Sequence, residues 1–171
     1  MPGLMGCPPL PDRFPMTIYF YKVGDPYGCF SNFSPHWIVV DGVDWPTVEH
    51  FYQAQKFVGT ESAAVIDRIR SALTASEAAA LGRNPAHQLR SDWNRVKRSI
   101  MAQGVWVKFS SHPELAQVLL STGNEELIED SPTDYYWGCG ADRTGKNELG
   151  KVLMETRDQL RENLALSRSF L

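Results

Sequence analysis

The segment from Trp45 to Phe57, WPTVEHFYQAQKF, constrains the fold of this chain more than any other. Its apolar residues recur at the spacing of a helix and predict a face that packs into a core. This face consists of Val48, Phe51, Tyr52 and Val58. Glu49, Gln53 and Lys56 fall within an arc of roughly 60° at about 100° per residue. The segment therefore predicts a core helix with three polar side chains in a line.

This line of polar side chains allows two interpretations. A carboxylate and a lysine at the border of a core, here Glu49 and Lys56, are candidates for shifted pKa values and for acid–base or covalent chemistry. The alternative is an ion pair within the helix, which contributes only a few tenths of a kcal/mol to its stability. Spacing alone favours the ion pair.

Length and composition predict one folded domain. A chain of 171 residues is long enough to bury a core, and its net charge of −3 provides no global basic field for nucleic acid. Three cysteines without a C-x-x-C pair favour reduced thiols and a cytoplasmic location. We expect no membrane span and no signal peptide, because no apolar run has the required length and the N-terminus lacks a basic segment before an apolar stretch.

Residues 1–16 are rich in proline, which removes backbone donors and blocks helix, so we expect a flexible tail. Residues 17–165 are expected to form a mainly α domain with a small antiparallel β-sheet or hairpin. The predicted strands are 18–21 and 127–128, with a hairpin over 37–45 that turns at Asp41 and Gly42. The predicted helices cover residues 46–58, 61–69, 74–82, 91–109, 111–123 and 146–167. Capping boxes are expected at Thr74 with Glu77 and at Ser111 with Glu114.

Two long predicted loops, 24–35 and 130–145, are unusually aromatic. The first contains Tyr27, Phe30, Asn32 and Phe33, and the second contains Asp134, Tyr135, Tyr136 and Trp137. An aromatic residue on a loop either anchors it in the core or stacks on a flat ligand. Anchoring is the commoner fate for a single residue, but two such loops favour a binding site.

Three further patterns leave alternatives open. The glycine-rich segment 138–150 places Lys146 before a helix, as in a phosphate site, but it lacks P-loop spacing and is equally typical of an ordinary turn. Trp93, in the first turn of its helix, either packs in the core or faces a pocket. The four histidines lack the spacing of metal ligands, and nothing local supports Cys139 as a nucleophile.

Several motifs together carry a resemblance to a known family. They are F-Y at 20–21, F-S-N-F at 30–33, W-P-T-x-E-H-x-x-Q-A-Q-K-F at 45–57, W-x-x-V-K at 93–97, Y-W-G at 136–138 and G-K-N-x-L-G-x-x-L-M at 145–154. In this order they resemble the NADAR (YbiA-like) family over about residues 17–162. Six motifs in order are far more specific than any one of them.

The resemblance implies a mainly α fold and an N-glycosidase that hydrolyses the bond between ribose C1 and a nitrogen. Its substrate would be a ribosylamino intermediate of riboflavin synthesis or an ADP-ribosyl adduct on guanine. It also implies functional roles for Glu49, Lys56, Trp93, Asp134 and Trp137. Members of the family often have an acidic residue where Cys139 stands in this chain.

We therefore predict a catalytic set and a substrate-binding set. The catalytic set is Glu49, Lys56 and Asp134. The substrate-binding set is Phe30, Asn32, Phe33, Gln53, Trp93, Trp137, Gly138, Lys146 and Asn147. Glu49 would orient water or protonate the leaving group, and Lys56 would bind phosphate or form a Schiff base.

The predicted partner is a small phosphorylated riboside or an ADP-ribosyl adduct, with nucleic acid only as a modified substrate. No metal, no cofactor and no membrane is expected, and the oligomeric state stays open. A non-catalytic module that binds ADP-ribose or NAD-like nucleotides is the main alternative, because it would share the aromatic loops. A helical interaction domain is a third, which leaves the loop aromatics unexplained.

Overall fold

The computed structural model describes residues 16–169, and helices predominate in that part of the chain. The helices are α1 Val48–Gln55, α2 Val65–Arg70, α3 Ala75–Gly82, α4 Trp93–Ser111, α5 Pro113–Ser121 and α6 Glu148–Ser169. The strands are β1 Thr17–Phe20, β2 Ile38–Val40, β3 Val43–Trp45 and β4 Glu126–Glu129. The predicted mainly α fold with a small antiparallel hairpin is confirmed. The predicted tail lies, up to residue 15, outside the described residues.

The hairpin of β2 and β3 forms as its Asp-Gly turn predicts. The strands are antiparallel, with Val40 opposite Val43. Asp41 and Gly42 have φ angles of 51° and 76°. Positive φ at both central residues is the hairpin turn whose twist matches that of the flanking strands, and Asp-Gly suits it.

A second pair of strands, β1 and β4, was not predicted to pair. They are parallel, with Phe20 opposite Glu129 in the register. Parallel strands end at the same edge, so the residues that end β1 and β4 lie side by side. The prediction missed this pairing because local patterns do not specify partners that are more than a hundred residues apart in sequence.

Helix α1 lies at the centre of the packing and contacts α2, α3 and α4. Thr47 caps it by accepting a hydrogen bond from the backbone N–H of His50. The helix ends at Gln55, three residues before the predicted end, and turns lead to Gly59 with φ 73°. Because every residue from Val48 to Ala54 is buried, its polar side chains lie inside the protein.

The two predicted capping boxes have different outcomes. Thr74 accepts a hydrogen bond of 3.1 Å from the backbone N–H of Glu77, as predicted for α3. The box at Ser111 and Glu114 is wrong, because α4 continues through Ser111 and α5 begins at Pro113 without a side-chain cap. Proline suits the first position of a helix, where its fixed φ fits and no N–H is needed.

Helices α4, α5 and α6 pack against one another, and α4 connects this group to α1. Helix α6 packs against α4, α5 and β4. Gly104 allows α4 to approach α1, because a Cβ at this position would lie 3.0 Å from the side chains of Val48 and Phe51. Over residues 16–169, no helix is both long enough and apolar enough to cross a membrane.

Candidate active site

One cavity of about 490 Å³ collects the polar residues of α1 and the two aromatic loops. This volume lies in the range of small-molecule sites. Of the predicted site residues, those that line the cavity are Asn32, Phe33, Glu49, Gln53, Lys56, Asp134 and Trp137. The remaining lining residues were not predicted as site residues. They are Tyr21, Tyr52, Arg83, Met101, Glu129, Ser131 and Thr133.

Glu49 is a buried carboxyl group that accepts a hydrogen bond from a neighbouring side chain. The residue is 3% exposed, and its Oε1 accepts a hydrogen bond of 2.7 Å from Gln53 Nε2. Burial raises the pKa of Glu49, while the Gln53 amide and the charges of Arg83 and Lys56 act against that rise. Such competing influences are typical of carboxyl groups with a chemical role.

Lys56 directly follows the last residue of α1 and is also buried. Its Nζ donates a hydrogen bond of 3.1 Å to the carbonyl oxygen of Gly82 and lies near the rings of Tyr52 and Trp93. Burial lowers the pKa of Lys56 to about 8, although Glu49 acts in the opposite direction. A lysine with a lowered pKa holds a larger fraction of nucleophilic amine at neutral pH. The ion pair within the helix that spacing favoured is therefore not formed, and Glu49 and Lys56 are both buried.

Asp134 shapes the second aromatic loop. Its Oδ1 accepts hydrogen bonds from the backbone N–H groups of Tyr136 at 2.8 Å and Trp137 at 2.7 Å. An aspartate that bonds the backbone two residues further on forms an Asx turn. Trp137 then meets Tyr52 edge to face, with ring centroids 5.5 Å apart. Asp134 thus fixes the position of Trp137 at the cavity wall.

Lys108, buried in α4, fixes the first aromatic loop. Its Nζ donates hydrogen bonds to the carbonyl oxygens of Cys29 and Ser31, at 2.5 and 3.0 Å, and a short one to Ser34 Oγ. The backbone oxygen of Asn32, in the same loop, accepts a hydrogen bond from the N–H of Glu49. The loop that supplies Asn32 and Phe33 to the cavity is therefore tied to two helices.

Glu129, at the end of β4, brings a further carboxyl group to the cavity. The residue is half-buried, and its Oε2 is buried without a hydrogen-bond partner among the described residues. Burial, with the negative charges of Asp134 and Glu49, raises the pKa of Glu129 to about 8. The one sequence signal for this residue is an acidic side chain directly after the apolar pair Leu127 and Ile128.

Arg83 follows the last residue of α3 and lies at the exposed side of the cavity. No carboxylate of the described residues lies within ion-pair distance of its guanidinium. An unpaired guanidinium beside a lysine is suited to bind the oxygens of a phosphate group.

Two predicted aromatic site residues pack behind the cavity. Phe30 is buried, with its ring 5.6 Å from that of Phe20 and 6.0 Å from that of Phe109. Trp93 is buried against Tyr52, with ring centroids 5.1 Å apart. The structure thus places both rings in the core, where Trp93 supports a residue of the cavity wall.

The glycine-rich segment before α6 is folded onto itself. Gly138 accepts a hydrogen bond from the N–H of Asn147, and the N–H groups of Glu148 and Leu149 donate to loop carbonyl oxygens. Lys146 is exposed, with its Nζ 5.6 Å from the ring centre of Tyr136. Because its first amides already have partners, the helix N-terminus has the features of the ordinary turn rather than those of a phosphate cradle.

Asn147 connects the start of α6 to β4. Its Oδ1 accepts a hydrogen bond of 3.0 Å from the backbone N–H of Glu129, and its Nδ2 donates one of 2.8 Å to the carbonyl oxygen of Leu127. Cys139 is also outside the cavity lining, with its Sγ 3.4 Å from Asp130 Oδ1. Burial raises the pKa of Cys139, which disfavours a reactive thiolate.

The fold and the cavity define a mainly α domain that presents buried carboxyl groups and a buried lysine to a small polar ligand. The NADAR domain model matches residues 19–161, and the chain belongs to this family.

Two relatives are named as N-glycosidases. An N-glycosidase of Nostoc punctiforme is 57% identical over 152 residues, which cover 89% of this chain and 97% of that protein. The N-glycosidase YbiA of Escherichia coli strain K12 is 44% identical over 143 residues, which cover 84% and 88%. The NMR structure of the E. coli protein YbiA matches with a TM-score of 0.80 at 41% identity and covers 88% of each chain.

A longer plant relative has a different name. The chloroplastic riboflavin biosynthesis protein PYRR of Zea mays is 41% identical over 155 residues. The match covers 84% of this chain but only 25% of the maize protein.

Proposed function

We infer that this protein is an N-glycosidase that hydrolyses the bond between ribose C1 and a nitrogen of a small glycosylated substrate. We propose that the substrate is a phosphorylated ribosylamino intermediate of riboflavin synthesis or an ADP-ribosyl adduct on guanine. The observation that supports this most strongly is that Glu49 of α1 and Lys56, the residue that directly follows α1, are both buried and line one cavity. The names of the relatives support the same reaction class.

Glu49 stabilises the positive charge that develops during the reaction. Breaking an N-glycosidic bond develops positive charge at C1, and a nearby carboxylate stabilises it and orients the attacking water. The hydrogen bond from Gln53 favours the ionised form of Glu49, which suits this role better than protonation of the leaving group.

Lys56 has two roles that experiments distinguish. As an ammonium group it binds a phosphate of the substrate as a point charge. As a neutral amine it attacks the opened sugar and forms a Schiff base, for which a lowered pKa is required. The binding role is favoured because Arg83 provides a second cation at the same cavity.

The base of the substrate lies, in this proposal, against the aromatic wall. Phe33, Tyr52 and Trp137 line the cavity, and the edge-to-face contact of Tyr52 with Trp137 holds the latter ring in place. An aromatic ring held in this way offers a face or an edge to a planar base. Ser131 and Thr133 add hydroxyl groups to the same wall.

A binding module without catalysis is the second candidate function. The same aromatic wall and the unpaired Arg83 would serve a nucleotide ligand equally well. A protein that only binds a phosphorylated ligand does not require a buried carboxyl group beside a buried lysine. Desolvating both groups lowers the stability of the protein, and the carboxylate does not increase the affinity for phosphate. Glu49 therefore favours the enzyme.

Incubation with both substrate classes tests the proposal. Release of free base with ribose phosphate from a ribosylamino compound, or of ADP-ribose from modified guanine, would establish the reaction and select the substrate. The Glu49→Gln variant serves as the matched control. Saturable binding of either compound without product from the parent protein would favour the binding module.

A further inference from the structure

Besides Glu49, and Asp134 which holds the second aromatic loop, the cavity contains a third carboxyl group, that of Glu129. It belongs to β4, whereas Glu49 belongs to α1, so two different elements supply a carboxyl group to one cavity. Hydrolysis of a glycosidic bond commonly uses two carboxyl groups, one ionised and one protonated. The groups around Glu49 favour its ionised form, whereas the surroundings of Glu129 favour its protonated form.

Burial raises the pKa of Glu49, but the polar and charged groups around it favour its ionised form. The Gln53 amide donates a hydrogen bond to it, and Lys56 and Arg83 bring positive charge to the same cavity. Glu129 has no such donor, and its Oε2 is buried without a partner among the described residues. An ionised carboxylate with an unpaired buried oxygen is costly, so the neutral acid is the favoured form of Glu129.

The charges that face Glu129 come from several elements. The ionisable residues of the cavity are Tyr21, Glu49, Tyr52, Lys56, Arg83 and Asp134. After burial itself, the dominant influences are the negative charges of Asp134 and Glu49, and together they raise the pKa of Glu129 to about 8. Glu49 accepts a hydrogen bond from Gln53 and faces two cations, whereas Glu129 faces two negative charges and its buried Oε2 has no donor among the described residues, so Glu129 is the carboxyl group that holds the proton.

The backbone of Glu129 is fixed on both sides. Its N–H donates to Asn147 Oδ1 at 3.0 Å, and its carbonyl oxygen accepts a hydrogen bond of 2.9 Å from the N–H of Cys139. The pairing of β4 with β1 adds further restraint. A group that transfers a proton must be held in position, and this residue is held at the strand end that faces the cavity.

We propose that Glu129 is the general acid that protonates the leaving nitrogen, while Glu49 is the carboxylate that receives a proton from water. This proposal rests on the proposed N-glycosidase function. The C1–N bond breaks as the Glu129 proton moves to the leaving nitrogen. A bond forms between the water oxygen and C1, and a water proton moves to Glu49. Proton exchange with solvent then restores both carboxyl groups.

The test compares Glu129→Gln with the parent protein over a range of pH. Glutamine keeps the size of the side chain but has no proton to transfer, so kcat should fall about a hundredfold while KM changes only a few-fold. At saturating substrate, where the bound phosphate keeps Lys56 protonated, kcat of the parent should fall as pH rises through about 8, and this fall in kcat should be absent from the variant. Glu125→Gln is the matched control, because Glu125 Oε2 is also buried without a partner but lies outside the cavity lining.

Three results would overturn the assignment. One is a kcat of Glu129→Gln within a few-fold of the parent. Another is an alkaline loss that persists in the variant, because that loss would then belong to Lys56, whose pKa is also about 8. The third is a loss of kcat that Glu125→Gln shares, which would indicate a general effect on folding.

A second measurement uses the parent protein alone, so it remains valid if Glu129→Gln does not fold. A pyridinium riboside releases a neutral base and needs no proton on the leaving nitrogen. Its hydrolysis should therefore continue above the pH at which hydrolysis of an aminoriboside declines. An identical alkaline decline for both substrates would refute the role of Glu129. A parent protein that turns over neither substrate would instead refute the N-glycosidase function itself.

Discussion

The side-chain amide of Gln53 donates a hydrogen bond of 2.7 Å to Glu49 Oε1, one turn earlier on the same buried helix. Because the amide stabilises the ionised form, it lowers the pKa of Glu49 against the effect of burial. The amide is held in turn by the close approach of Gly82, at the end of α3. The protonation state of Glu49 thus depends on the packing of α3 against α1.

We expect Gln53→Leu to shift the acid limb of activity to higher pH. Without the amide the pKa of Glu49 rises, so a reaction that needs the carboxylate requires a more alkaline solution. The measurement is the pH profile of kcat/KM, which reports on the free enzyme. Gln159→Leu, at an exposed glutamine of α6, is the control. An unchanged acid limb in Gln53→Leu would show that this hydrogen bond does not control the reactive group.

Glu49→Gln should retain the fold and the binding of substrate but lower kcat by about a hundredfold or more, as expected for a lost carboxylate that acts in the transition state. Circular dichroism and the affinity for a non-hydrolysable analogue check the fold and the binding, and product release gives kcat. Activity within a few-fold of the parent would remove Glu49 from the mechanism and favour the binding module.

Substitutions of Lys56 separate its two roles. If Lys56 binds phosphate, Lys56→Arg keeps the charge and should retain partial activity, with the loss mainly in KM. If it forms a Schiff base, the variant should lose kcat, because a guanidinium stays protonated and is not nucleophilic. Borohydride added during turnover would then trap a sugar adduct on Lys56, detectable by mass spectrometry. Full activity of Lys56→Ala would contradict both roles.

Gly82→Ala should disturb both stability and activity. A Cβ at Gly82 would lie 2.1 Å from Gln53 Oε1, so the side chain that bonds Glu49 must move. Overpacking of this kind typically costs about 1–3 kcal/mol of stability, measurable by urea denaturation. Gly24→Ala is the matched control, because no atom lies within 4 Å of a Cβ there. Equal unfolding midpoints for the two variants would contradict the predicted clash.

Lys108→Met should weaken substrate binding through the loop that it holds. The substitution leaves the carbonyl oxygens of Cys29 and Ser31 without their buried donor, at about 1–3 kcal/mol for each unsatisfied group. Because Asn32 and Phe33 belong to this loop, KM should rise more than kcat falls. Denaturation and steady-state kinetics measure the two effects. A destabilised variant with unchanged KM would show that the loop position does not matter for binding.

Much of the fold was predictable because its signals are local. The Asp41-Gly42 turn, the Thr74 cap and the buried apolar residues of α1 each depend on a few neighbouring residues. Val58 was wrongly assigned to the same apolar face, because it lies beyond the end of α1 and is exposed. The start of α5 was mistaken because two local signals competed. Pro113, which suits the first position of a helix, prevailed over the capping pattern of Ser111.

The site was predictable only where it lies on a regular element or in a recognisable motif. Helical spacing predicted the line of Glu49, Gln53 and Lys56 but favoured an ion pair. The family resemblance implied functional roles for Glu49, Lys56, Asp134 and Trp137, and all four line the cavity. Arg83 was missed because nothing in its neighbourhood distinguishes it from a surface charge, and Glu129 because an acidic residue after a short apolar strand is a weak signal. Phe30 and Trp93 were expected to bind substrate, yet the structure packs both into the core, the commoner fate of such rings.

The sequence by itself determined the helices, the hairpin and the line of polar side chains on α1, because helical period, turn chemistry and caps act over a few residues. The tertiary structure alone decided that this line is buried, that β1 pairs with β4, and that Glu129 and Arg83 join Glu49 at one cavity. These relationships connect residues that are distant in sequence. Their chemical consequences arise from burial and from neighbouring charges, which exist only once the chain has folded.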